Sequence, residues 1–315
     1  MSVASAIVGW GTALPDTVVT NADLQARLDT SDEWIVERSG IRRRHIGSSV
    51  ADLATEAARA ALARHGVPAS SIDLTIVATS TAEDVIPPAA SVVQHRLGAG
   101  GGAVDVNGAC AGFVPALVAA YGALALDAQR VLVVGADCMS RIVDPDDRST
   151  AVLFADGAAA VLLQRTAGPA PAEGGPGLVS YDLGSDGDAH DLLYCRQGGP
   201  MVMNGRQVFR RAVRMTVDSA TAALERAKLT IDDVALFVPH QANLRIIEAA
   251  GARLGIGPDR VAVVIGETGN TSAASVPLAL AAALDAGRLR HGDLLLMTAV
   301  GAGMSWGSAL VRWAS

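Results

Sequence analysis

A strand, a small-residue turn and a helix occur twice in this chain at nearly constant separation, and this repetition restricts the fold more than any other feature. The apolar strand at 74–78 recurs at 236–239, an offset of 162 residues between Leu74 and Leu236. Residues 103–126, with Cys110 at their turn, recur as 261–284 with Asn270 at the turn, an offset of 160. A third pair, 131–136 and 294–299, is offset by 163. Three offsets in chain order predict two halves of like fold, 1–167 and 168–315, joined through the Pro/Gly-rich run 167–177, which neither a helix nor a central strand tolerates. A pseudo-twofold axis between such halves would carry Cys110 and Asn270, on equivalent turns, to one central place.

Within each half, short β-branched runs alternate with alanine-rich helical patterns, so the fold class is α/β on largely buried sheets. Strands are predicted at 4–9, 74–79, 103–106, 131–135, 158–163, 236–239, 260–264, 294–299 and 308–312. Residues 52–65 place Leu53, Ala57, Ala60 and Ala61 at helical spacing and stop at Gly66 and Pro68. A hydrophobic fraction of 50% with only 18% charged residues, below the usual ~25%, suits such buried sheets and excludes disorder, collagen and coiled coil. With 25 Lys and Arg against 32 Asp and Glu, the net charge of −7 gives no general footprint for nucleic acid. Three cysteines without a CxxC spacing suggest neither a disulfide framework nor a zinc site, and a reducing compartment is expected. Gly9, Gly11 and Pro15 break the N-terminal apolar stretch where a signal sequence would need continuity, and Asp105, Asn107 and Asp127 interrupt the longest apolar region, 103–128. Cytoplasm and no membrane segment are the expectation.

Chemistry concentrates at three positions. Cys110 follows a strand and precedes a helix whose Pro115 fits a first turn, so the positive end of the helix dipole is expected to lower its pKa below the free value of about 8.5. Gly108, Ala109, Ala111 and Gly112 leave room for a substrate to reach the sulfur. His240 ends the apolar strand that closes with Pro239, where open α/β sheets place ligands. Asn270, alone, reads as a cap before the helix at 276–284.

Taken together, these residues resemble the β-ketoacyl-(acyl carrier protein) synthase III family of the thiolase superfamily. The resemblance rests on TNADL at 20–24, TSDEWI at 30–35, ACAGF at 109–113, PHQANLRII at 239–247, GNTSAASVPLAL at 269–280 and WGSALVR at 306–312. It implies a five-layered αβαβα fold, a homodimer and a Cys110-His240-Asn270 triad at the end of a tunnel. It implies that Cys110 takes an acyl group from acyl-CoA and that His240 and Asn270 stabilise the enolate from malonyl-acyl carrier protein, with no metal or redox cofactor. Cys110 and Gly303 would supply backbone N–H groups to a second oxyanion hole. For coenzyme A it implies Trp34 and Arg148 on the adenine, with Arg38, Phe209 and Asn243 as further contacts, and Arg38, Arg42, Arg43 and Arg44 as a local basic cluster. Arg206 stands where relatives often place a pantetheine-contacting asparagine. Arg210, Arg211, Arg214, Arg245 and Arg253 would form the basic patch that docks an acidic carrier protein.

Ile86 occupies the position from which a neighbouring subunit closes the acyl pocket in the family, and Asn107-Gly108 replaces plain alanines beside the nucleophile. The segment 190–203, part of the pocket cap, is shorter than in related bacterial enzymes. Three readings stand: the initiating synthase of fatty acid synthesis, a specialised relative that primes a polyketide or acylates an alcohol, and a silent partner subunit.

Overall fold

A computed structural model of the chain describes residues 3–314. In chain order the strands of the first half are β1 (Ser5–Ala13), β2 (Thr17–Thr20), β3 (Arg43–Ile46), β4 (Leu74–Ala78), β5 (Gly102–Val106), β6 (Arg130–Cys138) and β7 (Asp156–Arg165). Those that follow are β8 (Gly177–Ser185), β9 (Leu193–Cys195), β10 (Met201–Met203), β11 (Val234–Pro239), β12 (Leu294–Gly301) and β13 (Ser305–Arg312). A five-stranded sheet has the order β1-β7-β6-β4-β5, and a four-stranded sheet the order β11-β12-β13-β8. In the first, β4 runs parallel to β5 and β6, and β7 runs antiparallel to β6 and β1. In the second, β11 runs parallel to β12, and β13 antiparallel to β12 and β8. Position by position, β4, β6, β7 and β1 therefore correspond to β11, β12, β13 and β8.

The counterpart of β5 is missing as a strand. The strand predicted at 260–264 is reduced to one parallel bridge between Phe237 and Val261, after a 3₁₀ turn at Pro258–Arg260. Pro258 offers no ladder N–H, and the helix Ile265–Thr268 begins before a second bridge can form. Conversely, β8 escapes the sequence pattern because it is an edge strand, with Tyr181 and Leu183 largely exposed and Asp182 between them.

Alternation along the strands builds five layers. Val131 and Val133 of β6, with Val161 and Leu163 of β7, face the helices Phe113–Leu126 and Ser275–Asp285; Leu132, Val134, Ala160 and Leu162 face the helices Val50–His65 and Ala89–Leu97. In the second sheet Leu236, Leu295, Met297 and Val311 face the same central helices, whereas Phe237, Leu294, Leu296 and Leu310 pack on the helices Gly205–Ala227 and Leu244–Leu254. The result is the αβαβα thiolase architecture, its central helices shared by both sheets. Helix Val50–His65 is capped by the Ser49 side chain on Asp52 N and closed by Gly66 in the left-handed conformation, as its stop signal predicts.

The chain also corrects the register of its own repeat. Ala109 (φ +48°) and Ser272 (φ +52°) each begin a 3₁₀ turn leading into a central helix. Asn107 Oδ1 accepts from Ala109 N at 3.1 Å, and Asn270 Oδ1 accepts from Ser272 N at 2.9 Å. Asn270 thus corresponds to Asn107, and Cys110 to Ala273, at the same 163-residue offset as β6 and β12. The two functional residues reach the centre from neighbouring, not equivalent, positions of their turns.

Gly135 of β6 admits the second turn: a Cβ there would collide with the Ala273 carbonyl oxygen and lie 3.0 Å from its carbon. Gly135→Ala is therefore expected to lower stability by about 1–3 kcal/mol through backbone overpacking. A urea midpoint that does not move would contradict this contact.

Candidate active site

Cys110 sits at the mouth of the helix Phe113–Leu126, with Pro115 in its first turn, and is 7% exposed. Gly301 of β12 lets the turn approach: a Cβ there would meet Ala111 N at 2.8 Å, Gly108 O at 2.9 Å and Cys110 N at 3.0 Å. Ser305 Oγ donates to Gly108 O at 3.2 Å, and Ser272 Oγ donates to Cys110 Sγ at 3.3 Å. The candidate nucleophile of one half is thus held by residues of the other.

His240 directly follows β11, its N–H bound to Thr298 O at 2.7 Å. Ser275 Oγ accepts from Gln241 N at 3.2 Å, and among the described residues its proton has no other acceptor than His240 Nδ1, 2.5 Å away, which assigns it there. With Nδ1 accepting, the neutral ring carries its proton on Nε2. Gln241, fully buried, donates to Pro239 O and Ala262 O and accepts from Val264 N, tying the histidine turn to the segment that leads to Asn270. Asn270 is anchored by backbone bonds to Leu153 and Ala155. Because its Oδ1 is taken by Ser272 N, Nδ2 is the end left to donate. Sequence reading singled out neither Ser275 nor Gln241, although both lie inside its two longest motifs.

Electrostatics reverse one expectation. Burial pushes the Cys110 thiol up to about 11, with the Asp137 charge acting in the same direction, against the Ser272 hydroxyl and the Cys110 amide. A helix terminus contributes typically 0.3–1 kcal/mol, whereas desolvation can move a buried group by several pKa units, so burial wins. Burial likewise drives His240 down to about 4, so for both groups desolvation favours the neutral form.

Two cavities meet at Cys110. One, of about 280 Å³, is lined by Cys110, His240 and Asn270 at its inner end and by Trp34, Arg38, Phe209 and Asn243 farther out. Arg148 stacks on the Trp34 ring at 4.9 Å and Arg38 at 5.5 Å from its centroid. Asn243 is in the wall, but its amide is engaged: Nδ2 donates to Arg38 O and Oδ1 caps the helix Leu244–Leu254 at Arg245 N. Of the basic cluster, Arg44 is withdrawn into the core, donating to Val152 O and Asn21 Oδ1, while Arg43 pairs with Glu267 at 2.9 Å. Arg210, Arg211, Arg214 and Arg253 share a groove with Phe209, and Arg245 stacks on that ring at 5.6 Å. Arg211 pairs with Asp186.

The second cavity, of about 760 Å³, reaches Cys110 from the other side, past Asn107, Ser272 and Gly303. Met139, Ile142, Phe154, Leu193 and Met201 wall it, with the hairpin of β9 and β10 as its roof. Apart from the roof, these residues went unread, because Met139, Ile142 and Phe154 meet it from a segment some forty residues earlier in the chain. Ile86 does not line the cavity of its own chain; it stands 82% exposed.

Two like halves back to back, with a cysteine turn facing an imidazole and a carboxamide, define the thiolase-fold acyltransferases. Residues 104–187 match the family model 3-oxoacyl-[acyl-carrier-protein] synthase III, and residues 224–313 match its C-terminal model. The chain is 48% identical over 324 aligned residues to the β-ketoacyl-[acyl-carrier-protein] synthase III of Bradyrhizobium diazoefficiens, covering 99% of each. Its fold matches the crystal structure of 3-oxoacyl-[acyl-carrier-protein] synthase III from Aquifex aeolicus with a TM-score of 0.94 at 40% identity, over 98% of this chain and 100% of that one. The priming β-ketosynthase of the R1128 polyketide biosynthetic pathway is similar with a TM-score of 0.93 at 36% identity, over 100% and 97%. This chain belongs to the β-ketoacyl-[acyl-carrier-protein] synthase III family.

The Ser275 contact yields a direct test. Ser275→Ala removes the hydroxyl that holds Nε2 protonated and is expected to slow malonyl decarboxylation about 10- to 100-fold while leaving self-acylation nearly intact. Equal losses in carbon dioxide release and in adduct formation would contradict the tautomer assignment.

Proposed function

We propose that this chain condenses an acyl-CoA starter with malonyl-acyl carrier protein through an acyl-Cys110 intermediate, the decarboxylative step that initiates fatty acid synthesis. The supporting observation is the convergence of Cys110, the protonated edge of His240 and the amide end of Asn270 on one narrow cavity. Cys110 Sγ attacks the thioester carbonyl, the acyl group moves to the sulfur, and coenzyme A leaves. The malonyl thioester then occupies the vacated cavity, with its carbonyl oxygen toward His240 Nε2–H and Asn270 Nδ2–H. Loss of carbon dioxide leaves an enolate whose negative oxygen these donors stabilise in a site shielded from water. The enolate carbon attacks the acyl-Cys110 carbonyl, whose oxygen meets the Cys110 and Gly303 amides, and collapse releases the 3-oxoacyl product. Nucleophile and donors are all side-chain and backbone groups, so this chemistry calls for no metal or redox cofactor.

Trp34, Arg38 and Arg148 suit the adenine end of coenzyme A, with Phe209 and Asn243 along its path, and the Arg210, Arg214, Arg245 and Arg253 surface suits an acidic carrier protein. We place the enzyme in the cytoplasm, where its thiols stay reduced. Ile86, exposed on this chain, would close the acyl pocket of a second copy in a homodimer. A second reading, priming of a polyketide, is favoured by full-length likeness to a priming ketosynthase. Straight and branched acyl-CoAs, offered singly and read by intact mass, decide the starter.

A single acyl adduct on Cys110 is expected, and malonyl-acyl carrier protein should discharge it with release of carbon dioxide. His240→Ala and Asn270→Ala should each slow decarboxylation about 100-fold or more, and acylation far less. No adduct with any thioester, or discharge only by an alcohol, would overturn the condensing assignment.

A further inference from the structure

Three stretches of the sequence meet on one buried side chain that the reaction as described does not use. Asn21 belongs to TNADL, Asp32 to TSDEWI and Arg44 to the basic run that follows. Arg44 is 1% exposed, one of the largest side chains that the core encloses completely. Its Nε and Nη2 donate to Val152 O at 3.0 and 2.6 Å, and its Nη1 donates to Asn21 Oδ1 at 2.9 Å. All three bonds end on neutral oxygens. Asn21, itself buried, extends the connection, because its Nδ2 donates to Asp32 Oδ1 at 2.7 Å and to Ile41 O at 2.9 Å.

The two ends of this network are two walls of the cavity that leads inward to Cys110. Asp32 opens the helix Asp32–Ser39, which carries Trp34 and Arg38, and Ile41 follows its closing Gly40. Val152 caps the C-terminus of the short helix Arg148–Ala151, which begins with Arg148. Leu24, Ile35 and Val152 form one buried cluster with Trp34 packed against it, so apolar contact draws the two helices together. Apolar contact is non-directional, whereas a flat ring gripped between an indole and a guanidinium needs their spacing fixed.

Arg44 supplies that direction. A buried ion is weak evidence of stability, since removing charge from water is costly and well-packed apolar residues often serve as well. What a guanidinium adds is a planar fork with its donors at set angles, which a lysine ammonium on its flexible stem does not reproduce.

We propose that Arg44 is a positioning residue for the nucleotide of coenzyme A, fixing through Asn21 and Val152 the distance between the helix of Trp34 and the helix of Arg148. The inference rests on the reading above that Trp34 and Arg148 take the adenine. Arg44 lines neither cavity at Cys110, so it acts on the substrate only through these two walls. A thioester without the nucleotide makes no use of them. Comparing the two kinds of thioester therefore gives a readout that a general loss of structure would not produce.

The experiment is acylation of Cys110 by acetyl-CoA and, in parallel, by acetyl-pantetheine, each over a range of concentrations and followed by intact mass. It compares the wild type with Arg44→Lys and Asn21→Ala. The wild type should half-saturate at a lower concentration of acetyl-CoA than of acetyl-pantetheine. In Arg44→Lys the half-saturating acetyl-CoA concentration is expected to rise about tenfold, while the maximal rate and the response to acetyl-pantetheine stay within about twofold of wild type. Asn21→Ala keeps the bonds to Val152 and cuts those to the helix of Trp34. It should show the same split, and it decides if Arg44→Lys does not fold. An unchanged acetyl-CoA requirement, or an equal loss with both thioesters, would overturn the positioning role. A wild type that takes both thioesters alike would instead overturn the adenine assignment beneath it, and one that forms no adduct with either would overturn the acyl-transfer reading.

Discussion

The buried hydrogen bond from the Ala273 amide to the Asp137 carboxylate fastens the turn of one half to the sheet of the other, and the geometry of the site follows from that junction. The junction is reciprocal. Gly135 of β6 leaves space for the turn at Ala273, and Gly301 of β12 leaves space for the turn at Cys110, so each sheet receives the opposite half's turn. Helices Phe113–Leu126 and Ser275–Asp285 then run back from the two turns as the shared central layer. A cysteine from the first half and a histidine and an asparagine from the second meet because the halves interlock, not because any one segment is locally special.

Desolvation sets the chemistry of that meeting point. A dry site raises the thiol and lowers the imidazole, which favours the uncharged form of each. In the proposed reaction the same dryness strengthens the two N–H donors aimed at the developing enolate, since hydrogen bonds strengthen as the local dielectric falls. Partners fixed within hydrogen-bonding distance, Ser275 for His240 and Ser272 for Asn270 and Cys110, leave each functional group with one orientation.

Much of this was legible in the chain. Constant offsets revealed two halves, because the strand, turn and helix that build the site are the segments least free to drift in length. Cys110, His240 and Asn270 were legible as motifs on turns that end strands. The register of the repeat was read three residues out, since the turn around Asn270 resembles that around Asn107 in its hydrogen bond and not in residue identity. The strand at 260–264 was lost to Pro258 and the early helix that follows. Arg44 looked like one of a surface run, yet its side chain satisfies Val152 O and Asn21 in the core. Only the roof of the second cavity was legible, in the segment 190–203; Met139, Ile142 and Phe154 converge on it only in three dimensions. The direction of the thiol shift was likewise a question of burial, which spacing does not report.

Nitrogen-15 spectra of the resting enzyme, labelled at histidine and assigned through a His240 variant, report the ring state on which the donor geometry depends, a neutral imidazole with its proton on Nε2. His240 is expected to stay neutral and Nε2-protonated from pH 8 down to pH 5. An imidazolium at pH 6, or a proton residing on Nδ1, would contradict it.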